Sequence, residues 1–116
     1  MLGYDRKLKI EDITDGVSNT MFIAETSWEN GPWTAGGFPT VRGLDFNGMP
    51  YLGKNGQFCA VHRRSVLSSG PMLTNIVFAD GSVRSFSETI EPKVFQAMAT
   101  IAGGEAIDLP EVEVPR

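Results

Sequence analysis

The sequence predicts an α+β fold: a small antiparallel β-sheet with a C-terminal helix packed on it and long irregular loops between the elements. Three observations carry that class. Two β-type runs flank Asp80-Gly81 in the stretch 75–86, and an Asp-Gly pair between apolar-rich runs is a strong hairpin signal because glycine supplies positive φ without steric cost. An almost continuously apolar run occupies 20–26, as expected of a strand central in its sheet. Finally, Pro92 stands where a helix favours proline, Gly103-Gly104 where helices stop, and Val94, Met98 and Ile101 recur at i, i+4, i+7 with Phe95, Ala99 and Ala102 beside them.

The chain opens with charge, and Ile10 and Ile13, three apart, can share one face of a single helical turn. Residues 14–19 are rich in side chains that bond nearby backbone amides, which predicts an ordered loop. After the 20–26 strand, residues 27–56 hold seven Gly, three Pro and both tryptophans with little periodicity. This excursion is expected to be pinned onto the core by Trp28, Trp33, Phe38, Phe46 and Tyr51, because a long structureless loop is unusual in a compact domain. A short strand is expected within 40–46 and another at 57–62. Residues 63–73 carry Ser65, Ser68-Ser69 and Gly70-Pro71, which is loop chemistry.

At the hairpin, a two-residue loop would set Ala79 opposite Ser82, Phe78 opposite Val83, Val77 opposite Arg84 and Ile76 opposite Ser85. Ile76, Phe78 and Val83 would then share the core face. A bare hairpin is only marginally stable in water, so the 92–101 helix is expected to cover it. The tail at 106–116 adds at most a short edge segment before its Pro- and Glu-bearing end frays.

With 116 residues, 41% of them hydrophobic, the chain fits a single globular domain over 1–116. Thirteen Gly and seven Pro make about 17% of it, above the roughly 12% of ordinary usage, hence the loop-rich expectation. A net charge of −4 with only Arg6-Lys7 and Arg63-Arg64 as basic pairs argues against nucleic-acid binding. Cys59 is the lone cysteine, unable to form an internal disulfide and read as a small buried hydrophobe. No apolar run approaches the roughly 18 residues of a membrane helix, and the chain carries no targeting signal of its own.

Catalytic chemistry is sparse. His62 is the only histidine and no Gly-x-Ser-x-Gly elbow presents a serine. Cys59 and His62 lie three apart on an expected strand, and so on opposite faces. Gly36-Gly37 and Gly103-Gly104 fall short of any phosphate-binding fingerprint. The chain is therefore expected not to be an enzyme and to need no cofactor. Calcium is the exception the acidic residues would admit, through Asp12, Asp15, Asp80 and Glu25, although they show no ligand spacing.

Three stretches together resemble a known family: Ile13-Thr14-Asp15-Gly16-Val17-Ser18-Asn19-Thr20 leading to Glu25, then Asn75 through Val83 with Asp80-Gly81, then the helix ending Ala102-Gly103-Gly104-Glu105. They are similar to the C-terminal part of the planctomycete prepilin-like proteins of unknown function that carry a histidine-to-aspartate-glycine motif. The resemblance implies a pseudopilin-type globular head, normally attached to an N-terminal hydrophobic helix with a prepilin cleavage site. That helix does not occur in this chain, which is expected to be either a head region of a longer protein or a short relative that works alone. The family spacing between histidine and Asp-Gly is nine residues, whereas 63–79 is seventeen here, so His62 would hold the family position only with an insertion around 63–70.

What this implies is a non-enzymatic structural or interaction domain in a cell-envelope assembly of the secretion or pilus type. Partner proteins or further copies of the chain would meet it through the loops at 28–51 and 63–72. The alternative is a binding module for carbohydrate or calcium, with Trp28, Trp33 and Tyr51 as stacking platforms. An enzyme would instead require a pocket at His62 with a carboxylate and a nucleophile in reach.

Overall fold

The computed structural model describes residues 7–37, 41–58, 62 and 69–100. Three strands, β1 (Met21–Ala24), β2 (Leu73–Phe78) and β3 (Val83–Ser87), form an antiparallel sheet in the order β1-β2-β3, followed by one helix, α1 (Pro92–Met98). Single turns of 3-10 helix lie at Ile10–Asp12 and Trp33–Ala35. The class is α+β, as the sequence predicts.

The hairpin register differs from expectation. Gly81 N–H donates to Phe78 O at 2.9 Å and Phe78 N–H to Ser82 O at 2.8 Å, enclosing a three-residue loop, Ala79-Asp80-Gly81. In such a loop only the third residue needs positive φ, and Gly81 supplies it at φ 85. Asp80 stabilises the turn instead by side chain, its Oδ1 accepting from Ser82 N at 2.8 Å and from Ser82 Oγ at 2.6 Å. Val77 consequently faces Val83, Ile76 faces Arg84 and Thr74 faces Phe86. One extra loop residue exchanges the two faces of β3: Val83 is 60% exposed and Phe86 fully buried.

The strand expected to be central is an edge. β2 holds the middle with Thr74, Ile76 and Phe78 buried in alternation, while on β1 Phe22 and Ile23 are exposed. The ladder between β1 and β2 slips between Met21, paired with Phe78, and Ile23, paired with Val77. Phe22 is the extra residue of this bulge, turned out to solvent.

The core gathers Ile76, Phe78 and Phe86 from the sheet, Phe95 and Met98 from α1, and Tyr51, Leu52 and Phe58 from the end of the excursion. Phe95 stacks on Tyr51 at 5.4 Å between centroids and tilts against Phe58 at 6.0 Å. Burial of each such side chain contributes about 1.5–3 kcal/mol, which a seven-residue helix requires, since isolated helices of this length do not persist in water. The helix begins at Pro92 as expected but ends at Met98, with Phe95, Ala97 and Met98 as its buried residues. Ile101, Ala102 and Gly103-Gly104 lie outside the described residues, as do Cys59 and the 106–116 tail.

Within the excursion, Tyr51 is pinned in the core, but Trp28 and Phe46 are 51% and 48% exposed. Polar clips do the work expected of those rings. Arg42 donates to Thr26 Oγ1 at 3.1 Å, Trp28 O at 2.5 Å and Glu29 O at 3.1 Å. Gln57 Nε2 donates to Asp45 O and Gly48 O, each at 2.6 Å, and Gln57 Oε1 accepts from Asp45 N at 3.0 Å. Residues 41–46 form no strand. Of the expected 57–62 strand, Phe58 makes an isolated bridge to Leu52 and His62 one to Leu73. Phe38, the side chain of Trp33 and residues 59–61 and 63–68 lie outside what is described.

Candidate functional site

The residues singled out in the sequence fall into two groups at opposite parts of the sheet. At the first, the 14–20 loop is sewn to the hairpin turn. Gly16, at φ 94, takes a conformation natural to glycine. Around it Asn19 Nδ2 donates to Asp15 O at 3.3 Å and Thr20 Oγ1 to Gly16 O at 3.0 Å. Ala79 N–H reaches Thr20 O at 2.9 Å and Asp80 N–H reaches Val17 O at 3.1 Å. Thr100 Oγ1, just beyond α1, donates to Asp15 Oδ2 at 3.1 Å. Asp80 is held below the usual carboxylate range, chiefly by the Ser82 hydroxyl, then by Ser82 N–H, with smaller contributions from Arg84 and the Ser18 hydroxyl outweighing desolvation. Asp15, Gly16, Ser18, Asn19, Thr20, Asp80 and Gly81 thus form one loop-to-turn joint.

The second group lies on the face of the sheet opposite the core. Paired residues point to the same side and neighbours alternate, so Ile23, Val77 and Val83 form one row across the three strands. The next row holds Glu25, Asn75 and Ser85, where Glu25 N–H donates to Asn75 O at 3.0 Å. His62, bridged to Leu73, stands beyond it on the same side. The three motif residues here meet directly. Glu25 Oε1 lies 2.5 Å from His62 Nε2, and Glu25 Oε2 accepts from Asn75 N–H at 3.1 Å. Ser85 Oγ donates to Asn75 Oδ1 at 2.5 Å. The imidazole is 58% exposed and the carboxylate 32%.

Chemically this is a carboxylate that orients an imidazole, two parts of a nucleophilic constellation. The hydroxyl in the same network, Ser85, is directed at the Asn75 amide oxygen and not at the ring. Ser85 was not legible as a member of the group, because its place depends on the hairpin register.

The structure corrects two expectations about ligands. Asp15 and Asp80 share the loop-to-turn joint, but Asp12 and Glu25 do not join them: Asp12 Oδ2 accepts from Lys9 N–H, and Glu25 meets His62 and Asn75 on the outer face. Among the described residues no three His, Cys, Asp or Glu side chains are grouped to hold a metal ion. Tyr51 is not a surface platform. It is 4% exposed, with its hydroxyl donating to Phe46 O and accepting from Gln96 Nε2, each at 2.5 Å. Trp28 alone of the three expected platform rings has a described and exposed side chain. Among the described residues no helix is long and apolar enough to cross a membrane.

A family described as "Protein of unknown function (DUF1559)" matches residues 1–93. That span takes in the loop-to-turn joint up to residue 82 and the whole Glu25, His62, Asn75 and Ser85 group. Neither the curated proteins nor the solved structures contain a match to the chain.

Proposed function

The chain belongs to the DUF1559 family of proteins of unknown function, and from there we propose that it is a non-enzymatic interaction domain of pseudopilin-head type, serving a secretion or pilus-like assembly of the cell envelope. The observation that carries this reading is the row of exposed apolar side chains on the outer face of the sheet. Ile23 and Val83 are 54% and 60% exposed on either side of Val77, with Phe22 turned out beside them. Contiguous exposed apolar side chains on a rigid frame are typical of protein-binding surfaces. The motif residues, by contrast, are engaged in holding backbone together. On this reading they position the face, and recognition belongs to the sheet surface and the neighbouring excursion with Trp28.

A photo-crosslinking residue placed at position 23 or 83 tests the proposal in cells of the source organism. Capture of a specific envelope protein, or of a second copy of the chain, at both positions supports it. Capture of nothing at either position, with the protein folded and expressed, refutes it. A carbohydrate-binding reading keeps Trp28 as an exposed platform ring among the described residues and loses Tyr51, so binding of soluble glycans that quenches tryptophan fluorescence and is lost in Trp28→Ala is the result it requires.

A further inference from the structure

The hydrogen bonds around β2 fix which way each backbone group of the hairpin points. Toward β3, Phe78 N–H donates to Ser82 O at 2.8 Å and Met72 O accepts from Glu88 N–H at 2.9 Å. On the other side of β2, Asn75 O accepts from Glu25 N–H at 3.0 Å and Leu73 N–H donates to His62 O at 2.8 Å. An antiparallel ladder alternates bonded and non-bonded pairs, so Arg84 and Phe86 bond to Ile76 and Thr74, whereas Val83, Ser85 and Ser87 turn their backbone groups away from β2. Ser87 O accepts from Ile90 N–H at 3.0 Å. The N–H and C=O of Val83 and Ser85 and the N–H of Ser87 have no hydrogen-bond partner among the described residues. We propose that this edge of β3 pairs antiparallel with β3 of a second copy of the chain, joining two three-stranded sheets about a two-fold axis at Ser85.

The edge is self-complementary in that register. With Ser85 against its own copy, Val83 lies opposite Ser87 and Arg84 opposite Phe86 of the second copy. Every outward backbone group then meets one of the opposite kind, as an isologous two-fold contact requires, and Ser87 O uses its second lone pair for Val83 N–H. Arg84 is the only charged residue of β3. A two-fold register centred on Arg84 would set it directly against its copy, which like charges disfavour. One centred on Phe86 would carry Val83 past Ser87 to Thr89, outside the strand. β3 is also held extended by β2 over its whole length, so it pairs without the ordering cost that a free peptide would bear. A joint of one five-residue strand is small, which makes the association weak and concentration-dependent. The contact uses the edge of the sheet and not its outer face, and so is independent of the assembly proposed above.

Sedimentation velocity on the full chain from about 10 µM to 1 mM is expected to show a monomer–dimer equilibrium. In an equal mixture of isotope-labelled and unlabelled chain, an isotope-filtered NOE between Arg84 Hα and Phe86 Hα reports the register, because a non-bonded antiparallel pair brings these protons together across the joint. Ser85→Pro removes the outward N–H and keeps the backbone bonds to β2, so it should weaken the dimer roughly 5- to 100-fold. Ser85→Ala, which loses only the hydroxyl, should dimerise as the wild type does. A monomer at every concentration overturns the proposal, and so does a dimer without that NOE, a result that needs no variant to fold. Dimerisation of Ser85→Pro at wild-type strength overturns it too. Equal weakening in Ser85→Ala and Ser85→Pro has the same force, because the hydroxyl and not the backbone would then carry the contact.

Discussion

Glu25 and His62, thirty-seven positions apart, meet at 2.5 Å on the open face of the sheet, and the second carboxylate oxygen of Glu25 takes the N–H of Asn75. The two halves of this contact differ in weight. Removing the ring leaves a solvated carboxylate with its backbone partner intact, so His62→Ala should cost about 0.5 kcal/mol, ordinary for an exposed pair. Glu25→Ala also strips the Asn75 N–H of its acceptor and should cost about 1–2 kcal/mol. Urea unfolding of the two variants at neutral pH measures the difference.

Val83 and Phe86 report the hairpin register. In a two-residue loop Val83 would lie in the core, whereas the three-residue loop turns it out and buries Phe86. Val83→Lys should therefore change stability by no more than about 0.5 kcal/mol, while Phe86→Ala should cost about 3–5 kcal/mol. Thermal melts suffice to rank them.

Asp80 gives the fold an acid limb. Its folded carboxyl titrates below the ordinary range because Ser82 and Ser18 donate to the charged form. The depressed folded value means the unfolded chain takes up this proton first as pH falls. The stabilisation is fully present above the unfolded value, near pH 4, and is lost as pH drops through the folded one. Asp80→Asn should keep the turn at neutral pH and flatten this part of the stability profile, which denaturant midpoints at a series of acidic pH values would show.

Thr74 carries a hydroxyl fully buried on the core face of β2, and no partner for Oγ1 is found among the described residues. A buried polar atom without a partner is a desolvation penalty that an isosteric apolar group removes. Thr74→Val should be neutral or stabilise by up to about 1 kcal/mol, and Thr74→Ser, which keeps the hydroxyl and opens a methyl-sized void, should cost about 1 kcal/mol. A gain in Tm for valine with a loss for serine is the expected pair of results.

Hairpin, helix start and turn-rich loop were readable because each is governed by local chemistry: Gly81 for positive φ, Pro92 for the first helical turn, Asn19 and Thr20 for side-chain bonds to nearby backbone. What sequence could not convey depends on counting across space. Whether Asp-Gly closes a two- or three-residue loop is decided by one hydrogen bond, Phe78 N–H to Ser82 O, and that choice assigns Val83 and Phe86 to opposite faces. The apolar run at 20–26 could not show that β1 would be an edge, because composition does not reveal how many neighbours a strand has. Tyr51 looked like a platform because an aromatic ring in a loop has no periodicity to say which way it points. Glu25 and His62 were each visible in the motif, but their contact arises only once β2 aligns the two ends of the excursion.

The bulge at Phe22 has a consequence for how copies of this domain can associate. A strand seeking to extend the sheet on this side would have to zip along β1, only four residues long, and would meet the spacing error at its second residue. Broken, twisted edges of this kind do not template a continuing ladder. Strand addition is thereby disfavoured at this border, which leaves β3 as the edge of the described sheet along which a further strand would find an unbroken partner.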